Sequence, residues 1–279
     1  MKNINRISLS ICLIVLIAVS CKKLDRPGWS EYPVDTNVAG GPLKFYAAFD
    51  GTTTNPSMNA VDSIRANFAA SNPLTTVDGI RGKAVQGVLD KAISYPSAND
   101  FKTATSFTVA FWFKRALNSN TEFYFSLKDD TYDWSHSSLF MMVEHGTPTE
   151  AVVKVGVMDQ WMEWPDANKM PKPLLDGNWH HFAIVYDETT SKMSYYFDGA
   201  VVANPPASAV NVKDNGSPRG KLDLTKSNSL VIGGWNKHAG LSGPTDSWVG
   251  SYGGAIDQFR MYAKVLSAAE INTLYTNKL

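Results

Sequence analysis

The sequence predicts an all-β fold, an antiparallel sandwich finished by one short C-terminal helix. Three observations predict it. From Leu43 onward, aromatic and β-branched residues gather in short runs separated by Gly, Asn, Asp and Pro. No helical periods intervene between those runs, which excludes the alternating pattern of a parallel α/β sheet. The last residues carry a helix start signal.

Taken in order, LKFYAAF (43–49) is the first run, and Val61–Phe68 follows as a weaker amphipathic stretch, either a helical turn or a loop. In SFTVAFWFKR (106–115), Phe107, Val109, Phe111 and Phe113 make one apolar face. The opposite face, Thr108, Ala110, Trp112 and Lys114, is mixed, as on a strand whose outer side is partly covered. EFYFSLK (122–128), SLFMMVEH (138–145), AVVKVGVM (151–158) and WHHFAIVYD (179–187) have strand length and composition. KMSYYFDGAVV (192–202) is a hairpin turning at Asp198-Gly199, because glycine readily takes the positive φ of a tight turn. SLVIGGW (229–235) and AIDQFRMY (255–262) complete the strands. Ser267 and Glu270 form a capping box that opens a helix to about Asn277, with Ile271, Leu274 and Tyr275 on its docking face.

The N-terminus reads as an address. Lys2 and Arg6 precede the apolar run Ile11 to Val19, too short for a comfortable membrane span and followed by Ser20-Cys21. Ala18-Val19-Ser20-Cys21 resembles a bacterial lipobox, with Ala18 in place of the usual Leu. That implies cleavage after residue 20, acylation of Cys21, and attachment to the bacterial outer membrane. An ordinary signal peptide cut elsewhere, or an uncleaved anchor, is the alternative. Residues 21–42, rich in Pro and Gly, read as a tether from the lipid, and 43–279 as one domain.

The chain has 279 residues, with 26 basic and 26 acidic side chains and no basic run longer than Lys22-Lys23. Loss of residues 1–20 removes Lys2 and Arg6 and no acid, leaving 24 basic against 26 acidic side chains. No nucleic-acid footprint exists in such a sequence. Both cysteines lie within the first 21 positions, so the domain has no internal disulfide, thiol nucleophile or Cys-based zinc site.

Several short motifs occur together: Phe49-Asp50-Gly51, Phe107 to Lys114, Trp179-His180-His181-Phe182-Ala183, Tyr196-Phe197-Asp198-Gly199, Leu230-Val231-Ile232-Gly233, and Gly254 to Tyr262 with Leu266 to Ile271. In this order, from about Leu43 to Leu279, they resemble the laminin-G-like, concanavalin A-like jelly-roll domains of secreted bacterial proteins. The resemblance implies a jelly-roll β-sandwich, a fold that hosts lectins, carbohydrate-binding modules, glycosidases and adhesion domains. It also implies one structural calcium ion, held by Asp50 and Asp257 with Asn55 or Asp62 as loop donors. Alternatively, Asp50 caps a turn and Asp257 pairs with Arg260 or a backbone amide. No linear calcium motif is present.

Catalytic signatures are absent from the sequence. Glycosidases of the resembling fold carry paired carboxylates on one strand, whereas none of the seven Glu belongs to a Glu-x-Asp-x-x-Glu array. Glu163-Trp-Pro-Asp166 comes nearest and reads as a loop because of its proline. His180 and His181, adjacent in a strand, point to opposite faces and cannot chelate one ion.

Of the eight Trp, Trp112 and Trp179 fall in strand runs, while Trp134, Trp161, Trp164, Trp235 and Trp248 have polar neighbours. A flat indole beside amides and carboxylates is the composition of a sugar site. For any single Trp the competing role is to wedge a loop against the sandwich. The candidate carbohydrate-binding residues are Trp134, Trp161, Trp164, Trp235, Asn236, His238 and Trp248. The expectation is a lipid-anchored receptor for polysaccharide or oligosaccharide that serves outer-membrane import proteins and is not an enzyme. A surface adhesion module that binds protein, or a divergent glycoside hydrolase or lyase, is the alternative.

Overall fold

The computed structural model describes residues 41–50 and 72–278. Cys21 with its leader and tether, Asn55, Asp62 and the Val61–Phe68 stretch lie outside the described residues. Within them the strands are β1 (Leu43–Ala47), β2 (Thr75–Asp78), β3 (Lys83–Gln86), β4 (Ile93–Tyr95), β5 (Phe107–Ala116), β6 (Glu122–Lys128), β7 (Ser137–Gly146), β8 (Ala151–Val157), β9 (Gln160–Trp164), β10 (Asp176–Asp187), β11 (Lys192–Phe197), β12 (Ala200–Val201), β13 (Lys213–Asp214), β14 (Ser217–Pro218), β15 (Ser229–Ile232), β16 (Gly250–Ser251) and β17 (Ala255–Tyr262).

They build two large sheets. The eight-stranded sheet runs β12-β11-β10-β5-β17-β3-β2, with β1 also on β17; the seven-stranded sheet runs β4-β15-β6-β7-β8-β9, with β16 on β6. β13 and β14 form a separate ribbon. Pairing is antiparallel except where β16 meets β6. Strands distant in sequence are neighbours, as β5 between β10 and β17, which is the wiring of a jelly roll.

Period-two alternation sends one side chain of each pair between the sheets. Phe107, Phe111 and Phe113 of β5, Phe125 of β6 and Phe259 of β17 meet there with Tyr124 and Tyr186. Phe111 stacks on Phe259 at 5.5 Å, and Phe125 meets Phe259 edge-on at 5.3 Å. The interior is dominated by aromatic rings, so each truncation would leave a large void.

The outer face of the eight-stranded sheet is roofed. Thr108, Ala110 and Trp112, the mixed side of β5, are all buried. The C-terminal helix, Ala268–Asn277, covers Ala110 and Trp112, while the segment before it closes over Thr108, whose Oγ1 donates to Lys264 O at 2.8 Å. Ser267 caps the helix as the sequence predicts: its Oγ accepts from Glu270 N at 3.3 Å, and Ser267 N donates to Glu270 Oε2 at 2.8 Å. Ile271 and Leu274 join Leu43, Ala110, Ala183 and Val185, while Tyr275 stacks on Trp112 at 5.5 Å. The Asp198-Gly199 turn has φ of 50° and 75°, and Gly199 passes so close to Tyr275 that a Cβ would sit 2.9 Å from its ring. Asp198 is also a clamp: Oδ1 accepts from His181 N at 2.9 Å, and Oδ2 lies 2.8 Å from His180 Nδ1.

All nine sequence-predicted runs contain a strand. β2, β3, β4, β9, β13, β14 and β16 were not expected, being short, half-exposed or broken by polar residues. Of these, β9 matters most, because it carries Trp161 and Trp164.

Candidate functional site

The outer face of the seven-stranded sheet is covered by loops and the short 3-10 turn Asn236–Ala239, with no counterpart of the C-terminal helix over it among the described residues. Register sets its rows: Phe140 of β7 lies beside Gly156 of β8, which lies beside Trp161 of β9. One pair along, Met142 is beside Lys154 and Lys154 beside Glu163. Gly156 is required here, since a Cβ would overlap the Phe140 ring that lies across the strand. Phe140 meets Trp161 edge-on at 5.1 Å.

Trp235 forms the floor. It is fully buried, packs on Phe123 at 4.0 Å and Phe140 at 4.5 Å, and its Nε1 donates to Ser135 O at 3.0 Å. Asn236 and His238 are buried behind it and serve as braces. Asn236 accepts from Ser126 Oγ at 2.9 Å and donates to His136 O at 2.8 Å. His238 Nδ1 accepts from Trp235 N at 3.0 Å, and burial, helped by the Lys237 charge, pushes the imidazole down to about 4. A neutral ring is what that acceptor geometry needs.

Two indoles stand above this floor. Trp134 and Trp248 are 38% and 45% exposed and stack at 5.6 Å with an interplanar angle of 11°. Trp134 also contacts Trp161 at 5.5 Å and Trp235 at 5.4 Å. Their loops are braced. Trp134 Nε1 donates to Asp246 Oδ2 at 3.2 Å, and Lys237 Nζ donates to Asp246 O at 2.8 Å. Asp130 receives Ser242 Oγ at 3.1 Å and His136 Nδ1 at 2.9 Å, and hydrogen bonds from Lys128 and His136 hold its carboxyl down at about 2.

Beside the indoles lies a cavity of about 650 Å³ walled by Met142, Trp161 and Trp248, with Glu144, Lys154 and Glu163 on its polar side. Lys154 Nζ is 2.6 Å from Glu144 Oε1, 3.6 Å from Glu163 Oε1 and 5.7 Å from the Trp161 centroid. A second hollow of about 330 Å³, lined by Trp134, Asp133, Asp159 and Gln160, also has Trp161 in its wall. Apolar ring faces beside fixed hydrogen-bond acceptors suit a ligand that is itself flat and apolar on one side and hydroxylated at its edge.

Trp134, Trp161, Trp235 and Trp248, all singled out from sequence, thus form one cluster, but Trp235, Asn236 and His238 are buried and hydrogen-bonded internally, so they support the cluster and do not present themselves to a ligand, which corrects their expected role. Trp164 is a correction. It belongs to β9 and not to a loop, and a spacing of three residues turns it away from Trp161 into the core, where it is 1% exposed and meets Tyr195 edge-on at 5.7 Å. Glu163 is likewise a strand residue, and Pro165 merely ends β9. Glu144, Lys154 and Glu163 escaped sequence reasoning as a group because only register brings three strands' outward residues together.

Asp50 and Asp257 converge on the turn between β2 and β3. Asp257 Oδ2 accepts from Ile80 N at 2.8 Å, and Asp50 Oδ1 accepts from Lys83 N at 2.7 Å. Gly82, at φ 65°, passes against the Asp50 carboxylate where a Cβ would overlap it. Asp257 is fully buried and its Oδ1 has no hydrogen-bond partner; burial first, and the Asp50 charge as well, raise its carboxyl to about 7. Arg260 does not pair with it, as its guanidinium donates to Gln258 O at 3.0 Å and to Gln258 Oε1. An orphaned buried carboxylate oxygen near a second carboxylate fits a hard divalent cation, calcium above all. No cluster of three His, Cys, Asp or Glu exists among the described residues, so backbone oxygens would supply the remaining ligands.

A family model described as the concanavalin A-like lectin/glucanases superfamily, of the laminin-G type, matches residues 87–272. The chain belongs to this superfamily. As in other concanavalin A-like domains, the membership fixes the fold and leaves lectin and glucanase activities both represented. Among curated proteins none matches the chain. Two examples illustrate the many solved structures that resemble this concanavalin A-like domain. The binding domain of botulinum neurotoxin serotype D/C superposes with a TM-score of 0.57 at 11% identity, over 85% of this chain and 52% of the neurotoxin chain. Domain 4 of an extracellular arabinanase from Geobacillus stearothermophilus, solved with arabinotriose, has a TM-score of 0.51 at 18% identity, over 84% of this chain and 98% of that one.

Proposed function

We propose that the protein is a carbohydrate receptor of the bacterial cell envelope, held on the outer membrane by acylation of Cys21, and that its Trp134-Trp161-Trp248 groove binds oligosaccharide or polysaccharide for import proteins. The stacked, exposed Trp134 and Trp248 over a carboxylate-edged cavity carry this reading. Soluble proteins bury most of their indole surface, and two parallel exposed rings held by braced loops are a prepared apolar platform. The superfamily supports it, and the arabinanase domain supports the saccharide class at the level of fold alone.

Affinity electrophoresis through gels containing single polysaccharides tests the binding. Retardation by one polysaccharide that is lost in the Trp161→Ala, Trp248→Ala double variant is the expected result, and equal retardation of that variant refutes the reading. Retardation by none, with co-purification of a membrane protein that depends on the same two residues, selects the adhesion module. For the anchor, Cys21→Ser should abolish incorporation of labelled palmitate and release the protein from membranes.

A second reading, glycoside cleavage, draws on Glu144 and Glu163 facing one cavity. It requires one carboxyl to hold a proton for the leaving group, whereas both are ion-paired to Lys154. The binding reading is therefore preferred, and new reducing ends in mixed polysaccharides would reverse that preference.

We also propose a structural calcium ion at Asp50 and Asp257. Its role would be to neutralise the buried carboxylate and tie the β2–β3 turn to β1 and β17. Chelator should lower the unfolding midpoint of the wild type, since the ion stabilises only the folded state, and should leave Asp257→Asn unmoved. An unmoved wild type returns both aspartates to turn capping.

A further inference from the structure

We infer that the groove selects an uncharged glycan chain of at least two rings and rejects acidic glycans, an inference that rests on the carbohydrate reading above. Two observations carry it.

The first is continuity. Trp161 is a wall of both the 650 Å³ cavity and the 330 Å³ hollow, and Trp134 and Trp248, which contact each other, belong one to each. Each space is open to solvent and falls within the range of about 300–1,000 Å³ typical of small-ligand clefts. A ligand using both must cross Trp161, so it is a chain and not a single ring.

The second is charge. The groove's charged groups are Glu144, Glu163, Asp133 and Asp159, with Lys154 and His145; its other polar groups, Ser119, Thr121, Thr131, Tyr132, Ser135 and Gln160, are neutral. Lys154 is occupied between two glutamates, Asp159 is paired to Arg219, and His145 Nε2 lies 2.8 Å from Asp166. What faces the ligand is a surplus of carboxylates among neutral polar groups, with no unpaired cation among the lining residues. Neutral sugar hydroxyls can donate to these carboxylates. A uronate, sialic or sulfate group would meet like charge and find no unpaired cation to offset it, and such juxtaposition costs discrimination energy without touching the neutral ligand.

The test is titration calorimetry on the detergent-solubilised full-length protein. The probes are neutral xylo-, arabino-, manno- and cello-oligosaccharides from monomer to hexamer, with oligogalacturonates and sulfated oligosaccharides of matched length. Affinity for at least one neutral series should climb about tenfold or more from monomer to trimer, and the acidic series should bind at least about tenfold more weakly. Raising salt from about 0.1 to 1 M shortens the screening length from about 10 to 3 Å and should narrow that gap. The E144Q/E163Q variant, which frees Lys154, should narrow it at low salt. Because salt acts on the wild type, the result survives if that variant fails to fold. Acidic chains binding as well as neutral ones, or a monosaccharide binding as well as a hexamer, overturns the inference and leaves the carbohydrate reading standing. Silence across both the neutral and the acidic series removes the carbohydrate reading, and this inference with it.

Discussion

On the outer face of the eight-stranded sheet, Trp112 lies under Tyr275 at 5.5 Å, sealed by a capped helix; on the outer face of the seven-stranded sheet, Trp235 lies under Trp134 at 5.4 Å, and Trp134 is open to solvent. Both faces carry a satellite apolar cluster outside the main core. The first is closed by a secondary structure element that buries its own apolar stripe. The second is closed only by loops and ends in two exposed indoles. A fold that can roof an aromatic face with a helix, and does so on one side, leaves the other side available for a ligand.

The strongest way to break this comparison is to truncate the buried indoles. Trp112→Ala, Trp164→Ala and Trp235→Ala should each destabilise by about 3–5 kcal/mol in urea titration, the usual cost of emptying a large aromatic site. Only Trp235→Ala should also abolish glycan retention, since it alone underlies the groove. Loss of retention in a folded Trp112→Ala protein would show that the two faces are not independent.

Within β9 the comparison becomes sharper. Trp161→Ala should weaken glycan binding by about 2 kcal/mol or more, as truncating an aromatic anchor does, while Trp164, three residues on, should affect stability alone. If the two substitutions trade roles, the assignment of faces is wrong. These two residues also show where sequence reading stops. Runs such as Phe107 to Phe113 declare themselves because alternation with a fully apolar face leaves no other fold. Gln160 to Trp164 mixes polar and aromatic residues before a proline, so its strand nature depends on tertiary pairing with β8, not on local propensity. Trp235 looked exposed because Gly233, Gly234 and Asn236 surround it, yet Asn236 is itself buried, satisfied by Ser126 and His136 from two other segments. The grouping of Glu144, Lys154 and Glu163 is a property of register, which no linear spacing encodes.

Loosening the roof gives a smaller effect. Ser267→Ala removes the acceptor for Glu270 N and should cost about 0.5–2 kcal/mol. Glycan affinity should be unchanged, and hydrogen exchange should rise in Ala268–Asn277. A matching change around Trp248 would couple the faces that the structure separates.

The finest test is a pH slope confined to the roofed sheet. His180 Nδ1 lies 2.8 Å from Asp198 Oδ2 and Nε2 lies 3.1 Å from Asp176 Oδ1. Burial works against its charge, but the two carboxylates outweigh that and raise its pKa above the ordinary histidine value. The folded state therefore binds this proton more tightly than the unfolded chain. The resulting stabilisation is complete below the unfolded value of about 6.5 and disappears as pH rises through the folded one. His181, pushed down to about 3 by burial and by Arg260, has the opposite sign, since its contribution is lost only as pH falls below about 6.5. Other groups titrate in the same range, so the quantity to measure is the difference in unfolding midpoint between wild type and His180→Gln. That difference should be greatest near pH 6 and shrink toward pH 8. A difference that grows with pH would mean that His180 is held neutral, and that the Asp198 clamp acts through its bond to the His181 amide alone.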